Sequence, residues 1–374
     1  MQALTQAAPA APVELETLPV PEVLPGTAVV KILAANVSPN SRKVQSGAIK
    51  LPLPPHPYTL SAAAVGRIHA VAPDATTLQA GQLVYIDHHF VGRDEPSVSI
   101  LQGYMGTPTP PGIRLGNAWK QGGTMAEYAR PPLESIYPLD ESLLVEKLGY
   151  SFAELVTLND TCTVAAGLLE LLEIQPGDSV IIAPGTGRFG GTAVQTALAF
   201  GPHVIAAGRN EEKLAFLAST FKDTGRLSTV NLSGDVATDT EALKQAAGGV
   251  GARAGADAYF DWSPPQAAAS THIASCIGAL GFGGRVALMG AIFGNVQVPY
   301  AAVVLKNLRI QGKFMFERKH ALQVIKMVET GVLKLGKVAT GSFNVHSFKL
   351  SDYERATITA EENSGWGNVI VVEP

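Results

Sequence analysis

The chain has 374 residues, of which 46% are hydrophobic and 16% charged, with a formal net charge of −4. That length exceeds one ordinary domain, and the apolar content excludes a disordered chain. The slight acidity and scattered basic residues give no electrostatic footprint for nucleic acid.

The only cysteines, Cys162 and Cys276, are far apart, which excludes a disulfide framework and a multi-cysteine zinc site. They fit a reducing compartment, so a cytoplasmic location is expected. No apolar run approaches the roughly 20 residues that span a bilayer. Residues 1–12 lack the charged and apolar regions of a signal peptide. The expected partner is a small-molecule substrate, with neither nucleic acid nor membrane involved.

In chain order, the first 145 or so residues are rich in Pro and Gly, with short alternating stretches at 27–34, 66–71 and 82–86. These predict a compact β-domain. A span from Gly92 to Gly123, containing TPTPPG, shows no apolar period and reads as a long loop. Helical spacing runs from Ser151 to Leu172 and breaks at Gln175-Pro176-Gly177-Asp178. Strands follow at 179–183, 203–207, 256–261 and 285–290, with a helix over Thr192–Phe200 and further helical material between. Strand and helix in alternation predict a parallel sheet covered on both faces. The tail carries a helix near 319–330 and a final strand at 368–372.

The segment SVIIAPGTGRFGG places Gly-x-Gly-x-x-Gly between a buried strand and a helix. Gly185 permits a tight turn, Gly187 admits a pyrophosphate, and Gly190 allows close helix–strand packing. The free N–H groups at the helix start then receive the anion. Arg188 and Phe189 lie inside this turn and count with it as cofactor-binding. An NAD site wants a carboxylate at the end of the second strand, about 20 residues on. The sequence there is Ala206-Ala207-Gly208-Arg209-Asn210. Gly208 makes room and Arg209, with Lys213 nearby, offers cations to a 2′-phosphate, so the expected cofactor is NADPH.

These features resemble the medium-chain dehydrogenase/reductase superfamily, specifically its zinc-independent quinone-oxidoreductase-like or enoyl-reductase branch. Pro176-Gly177-Asp178, the glycine turn running into TAVQTALAFG, and Gly208-Arg209 carry the resemblance. Ala126-Glu127-Tyr128, GFGGRVALMG and GNVIVV support it less specifically. It implies an α/β protein with a GroES-like β-domain (1–150 and 305–374) and a Rossmann doubly wound parallel-sheet domain (151–304). A homodimer is also implied.

By motif alignment, the positions that hold catalytic zinc in metal-dependent members fall at Ser38, at Ala62, and at or beside Asn159. Ser, Ala and Asn cannot replace thiolate and imidazole, so no metal is expected. The resemblance further implies Thr163 against the nicotinamide, backbone near Gly290 and Phe314 on the carboxamide, and Asn368 toward the phosphates. Asn40 takes the place of the proton-relay hydroxyl in zinc relatives, with Lys43 close by. Catalytic candidates are therefore Asn40, His88 or His89 beside Asp87 after a strand, and Tyr104 in the long span. Ile49 departs from the tyrosine that many quinone reductases carry there.

The reaction expected is reduction of an activated C=C or C=O bond, with a charged oxygen met by hydrogen-bond donors. NADP-dependent alcohol oxidation is an alternative. A non-catalytic NADPH-binding sensor or structural protein is another.

Overall fold

In the computed structural model, which describes residues 1–248 and 254–374, the chain divides into two units. One comprises Met1–Asn159 with Ile325–Pro374, and the other Asp160–Val324.

The second unit is built on six parallel strands. Their spatial order is Leu227–Asn231, His203–Gly208, Ser179–Ala183, Ala256–Asp261, Leu280–Leu288 and Arg309–Gly312. All five residues of Ser179–Ala183 are buried, as a strand flanked on both sides by partners and on both faces by helices requires. From this first strand the chain steps outward one way through His203–Gly208. It then returns to the other side at Ala256–Asp261, so the carboxyl ends of Ser179–Ala183 and Ala256–Asp261 flank a topological switch point. Ligands of such sheets bind there. The strand expected at 285–290 begins earlier, at Leu280, and is paired from Ala256↔Leu280 to Asp261↔Leu288. Its Gly281–Gly284 run hides that start, because glycine carries no side-chain period to read.

The first unit holds a curled, mainly antiparallel sheet. Ala28–Asn36 lies between Ala64–Val71 and Asn368–Val372, with Leu83–Ile86 and Ile136–Pro138 beyond the former. Val30, Ile32, Ile68, Val84, Ile86 and Ile370 share one core with Tyr353, Ala356 and Ala360 of the helix Tyr353–Glu362. Irregularities after Val29 and Ile32 curl the central pair. The register matters for function. Ala35 faces Ala64, and Ala64 faces Ile86, so Ser38, Ala62 and His88 emerge at one end of this sheet.

The span 92–123 is not the featureless loop expected from its composition. Ser99–Leu101 pairs with His89–Val91, and Pro110–Ala118 is a helix. Thr109 caps that helix by accepting from the Gly112 N–H. Its prolines occupy the first helical positions, where a missing N–H costs nothing. Two neighbouring prolines thus disguised a helix start. The segment expected as helical at 151–172 is Phe152–Leu155 followed by Leu158–Ala166 and a widened turn, Gly167–Leu171. A capping box between Ser151 and Glu154 starts it. Among the described residues no helix is long and apolar enough to cross a membrane.

Candidate functional site

The glycine turn in the second unit shows three different uses of a missing Cβ. At Gly190 a Cβ would lie 1.9 Å from the Pro184 carbonyl oxygen, so only glycine lets the helix Arg188–Phe200 press onto the strand. At Gly185 it would meet Ile182 O at 3.0 Å and the Ala206 Cβ at 3.1 Å, while the Gly185 N–H donates to Ala207 O at 2.7 Å. At Gly187 it would meet nothing within 4 Å. Gly187 is exposed and caps the helix with no side chain. The protein does not need glycine there for its own packing. The open space over uncapped first-turn N–H groups is a cradle for an anion.

The remaining residues of the turn are anchored sideways. Phe189 stacks on Trp262 with centroids 5.0 Å apart and planes 8° from parallel. Arg188 does not extend into solvent; its guanidinium pairs with the buried carboxylate of Asp160.

Beside the turn, Gly208 is the buried last residue of its strand, and Arg209 and Lys213 are exposed. Asn210 uses its side chain to cap the next helix, accepting from the Lys213 N–H at 2.8 Å. Glu211 and Glu212 stand exposed in that helix's first turn. The strand end therefore carries a cation and no carboxylate.

Thr163 is buried in Leu158–Ala166, three residues after Asp160. Gly290 is held by a buried polar cluster that the sequence did not announce. A Cβ added at Gly290 would lie 2.6 Å from Asp261 Oδ2, and Ala291 N–H donates to Ser263 O at 2.8 Å. Tyr259 and Ser263 both donate hydroxyls to Asp261 Oδ1, at 2.9 and 2.5 Å. The His272 ring is hydrogen-bonded through Nε2 to Ser263 Oγ at 2.8 Å and through Nδ1 to Ser270 Oγ at 2.7 Å. Phe314 is exposed on the segment after Arg309–Gly312. Its neighbour Lys313 bonds Glu170 at 2.7 Å and Glu317 at 2.6 Å. Burial would push Glu170 up, but the hydrogen bonds and charges of Lys313 and Lys319 hold it at about 2.

In the first unit, Ser38 takes a hydrogen bond from the Asn40 N–H at 3.3 Å and is hydrogen-bonded to the Tyr104 phenol. Burial raises Tyr104 above its ordinary value and the Ser38 hydrogen bond pulls against it, so the phenol is protonated at neutral pH. Asn40 sits at the cap of Ser41–Gln45 but spends no side-chain bond on it. Ala62 is nearly buried, its N–H donating to Thr124 Oγ1 at 2.9 Å. Gly103 brings the Tyr104 loop against it, since a Cβ there would lie 2.3 Å from the Ser61 nitrogen. Register and loop packing thus bring Ser38, Asn40, Ala62, His88 and Tyr104 to one end of the sheet.

Asp87 and His88 approach at 4.0 Å but are no ion pair at neutral pH. Burial lifts Asp87 to about 7 against the hydrogen bonds of the His89 and His88 backbone. Burial, with the His89 charge, lowers His88 to about 3. His88 is therefore a neutral imidazole at neutral pH. Asn368 also lies in this unit, where its amide bonds Asn344 at 3.0 Å and Gly365 O at 3.4 Å.

Both units match family models. Residues 24–141 match the alcohol dehydrogenase GroES-like domain, and residues 189–330 match the zinc-binding dehydrogenase. The chain belongs to the medium-chain dehydrogenase/reductase superfamily. It is similar to an L-threonine 3-dehydrogenase of Ruegeria pomeroyi, 26% identical over 93% of this chain and 94% of that one. It is also similar to an alcohol dehydrogenase of Geobacillus stearothermophilus, 25% identical over 86% of this chain and 87% of that one. Among solved structures, an NAD-dependent alcohol dehydrogenase matches with a TM-score of 0.74 at 25% identity, each chain fully covered. The 2R,3R-butanediol dehydrogenase of Bacillus subtilis shares the fold, with a TM-score of 0.74 at 15% identity over 100% of this chain and 99% of that one. Like its superfamily, this chain is an oxidoreductase with a nicotinamide dinucleotide cofactor, and the open cradle at Gly187 fits one.

A family named for zinc raises the question of a metal. Ser38, Ala62 and Asn159 offer a hydroxyl, a methyl and an amide where zinc takes thiolate, imidazole or carboxylate. Among the described residues no group of three His, Cys, Asp or Glu could hold an ion. This donor set does not fit zinc.

The buried Asp87 yields a pH signature. Its carboxyl ordinarily titrates near 3.8 and here near 7, so between those values the folded state binds the extra proton and stability falls as pH rises. Asp87→Asn removes that slope. Its melting temperature relative to the parent should climb from about pH 4 to pH 7 and level off above, in calorimetric scans. A constant difference across that window would contradict the burial argument.

Proposed function

We propose that this chain reduces an activated C=C or C=O bond with NADPH and without zinc. The observation that carries the reading is the Ser38–Tyr104 pair. Where zinc relatives place their first metal ligand, this chain has the Ser38 hydroxyl, and the half-buried Tyr104 phenol is brought to the same end of the sheet, raised above its ordinary value by burial against the pull of Ser38.

When bound, the cofactor supplies hydride from its nicotinamide ring. The chain's own tasks are binding, orientation and proton delivery. Gly185, Gly187 and Gly190 admit the pyrophosphate; Arg209 and Lys213 receive the 2′-phosphate; Thr163, Gly290 and Phe314 flank the nicotinamide. Tyr104 gives the proton, with Asn40 and neutral His88 supplying hydrogen bonds to the reacting oxygen. Asn368, read as reaching toward the phosphates, has its amide shared between Asn344 and Gly365.

A second reading, NADP-dependent oxidation of an alcohol, is favoured by the names of the relatives, which include alcohol and L-threonine dehydrogenases. NADPH absorbance followed against enones, quinones, aldehydes and imines separates the readings. The proposal expects turnover with at least one of these classes, less than stoichiometric zinc by elemental analysis, and activity unchanged by a chelator. Alcohol-driven reduction of NADP⁺ by a zinc-loaded enzyme would replace it with the second reading. Tight NADPH binding without turnover would make the chain a nucleotide sensor.

We also propose a homodimer. Tyr300 and Leu305, 80% and 77% exposed, lie on the helix Tyr300–Leu305. Phe282, 67% exposed, is brought beside that helix by the bond from Gly283 N–H to Lys306 O. Large apolar side chains exposed this near one another suit a surface covered by a second copy. Light scattering should give twice the 39.1 kDa chain mass, and Leu305→Glu should halve it. A parent protein already at the single-chain mass would refute the dimer.

A further inference from the structure

Arg188 occupies a place in the turn where a free cation would be an obvious phosphate ligand, yet its charge is already matched. Its Nε donates to Asp160 Oδ2, and its Nη2 donates to Asp160 Oδ1 at 3.2 Å. The two side chains are only 12% and 4% exposed. Fork-on-fork contact of this kind fixes direction as well as distance. A buried pair of this kind is net neutral toward anything placed beside it.

The two partners belong to two different parts of the nucleotide site. Arg188 opens the helix Arg188–Phe200 between Gly187 and Gly190, next to Phe189 and its stack on Trp262. Asp160 lies in Leu158–Ala166 three residues before Thr163, a spacing that puts both on one helical face. Nothing in sequence spacing connects residues 28 positions apart on separate helices.

We propose that Asp160 and Arg188 form a positioning pair that locks the Thr163 helix against the glycine turn, setting where the nicotinamide lies relative to the pyrophosphate. The inference rests on the nucleotide reading above. The pyrophosphate charge is met by the turn's N–H groups, and Arg188 acts on the cofactor through Asp160. The pair contributes to the nicotinamide half of the cofactor and not to the adenosine half.

The test uses the full chain with D160N, R188M and the double variant, and two probes: NADPH, and 2′,5′-ADP, which carries only the adenosine half. Each single variant should weaken NADPH binding about tenfold and lower kcat, within the coupling expected of residues in contact. Affinity for 2′,5′-ADP should stay within about twofold. The double variant, neutral on both sides and free of an unpaired buried charge, should melt cooperatively and lose no more than either single.

Tighter NADPH binding by D160N would overturn the proposal, because it would mean that a liberated Arg188 is a direct phosphate ligand. Losses that multiply in the double variant, equal losses for both probes, or parent-like behaviour of all three would overturn it too. Failure of the parent protein to bind either probe would instead remove the nucleotide reading itself, and this inference with it.

Discussion

The contact between Gly190 and the Pro184 carbonyl is the constraint on which the rest of the nucleotide half depends. With 1.9 Å between that oxygen and the place a Cβ would take, the helix Arg188–Phe200 can approach its strand only as glycine allows. That approach carries the uncapped first turn to the carboxyl edge of the parallel sheet, at the switch point. It also delivers Phe189 to Trp262 and Arg188 to Asp160. One steric permission thus sets an anion cradle, an aromatic stack and an ion pair together.

Around this centre, carboxylates tie separate segments together, Asp160 and Asp261 buried and Glu170 half-buried. Asp160 holds the turn, Asp261 holds the backbone near Gly290, and Glu170 holds the segment bearing Phe314. Each is satisfied by donors, which is the condition for a charge to remain in a poorly solvated place. In the other unit the logic is reversed. Asp87 and His88 lack strong charged partners, so burial drives both toward their neutral forms. A neutral set of donors around Ser38 and Tyr104 is suited to receive growing negative charge on a substrate oxygen.

The sequence was most readable where a rule is steric and local. The glycine spacing, the missing carboxylate after His203–Gly208 and the apolar strands of the parallel sheet all fall in that class. It was least readable where neighbours come from far along the chain. Lys313 and Glu170 are 143 residues apart, and no local pattern pairs them. The pairing of Arg188 with Asp160, 28 residues away on another helix, is likewise invisible to spacing. Local chemistry also misled where two effects share one residue type: the prolines at 110–111 start a helix, and the glycines at 281–284 lie inside a strand. His88 carried a donor's identity, and only its depth in the fold removed its charge.

The proposed preference for NADPH rests on Gly208 and Arg209 standing in place of an acid at the edge of the parallel sheet. Calorimetric titration of the parent protein with NADPH and with NADH measures this most directly. The account predicts NADPH binding tighter by about tenfold or more, as a charge-assisted contact worth roughly 1.5–3 kcal/mol implies. Equal affinities, or tighter NADH, would contradict it.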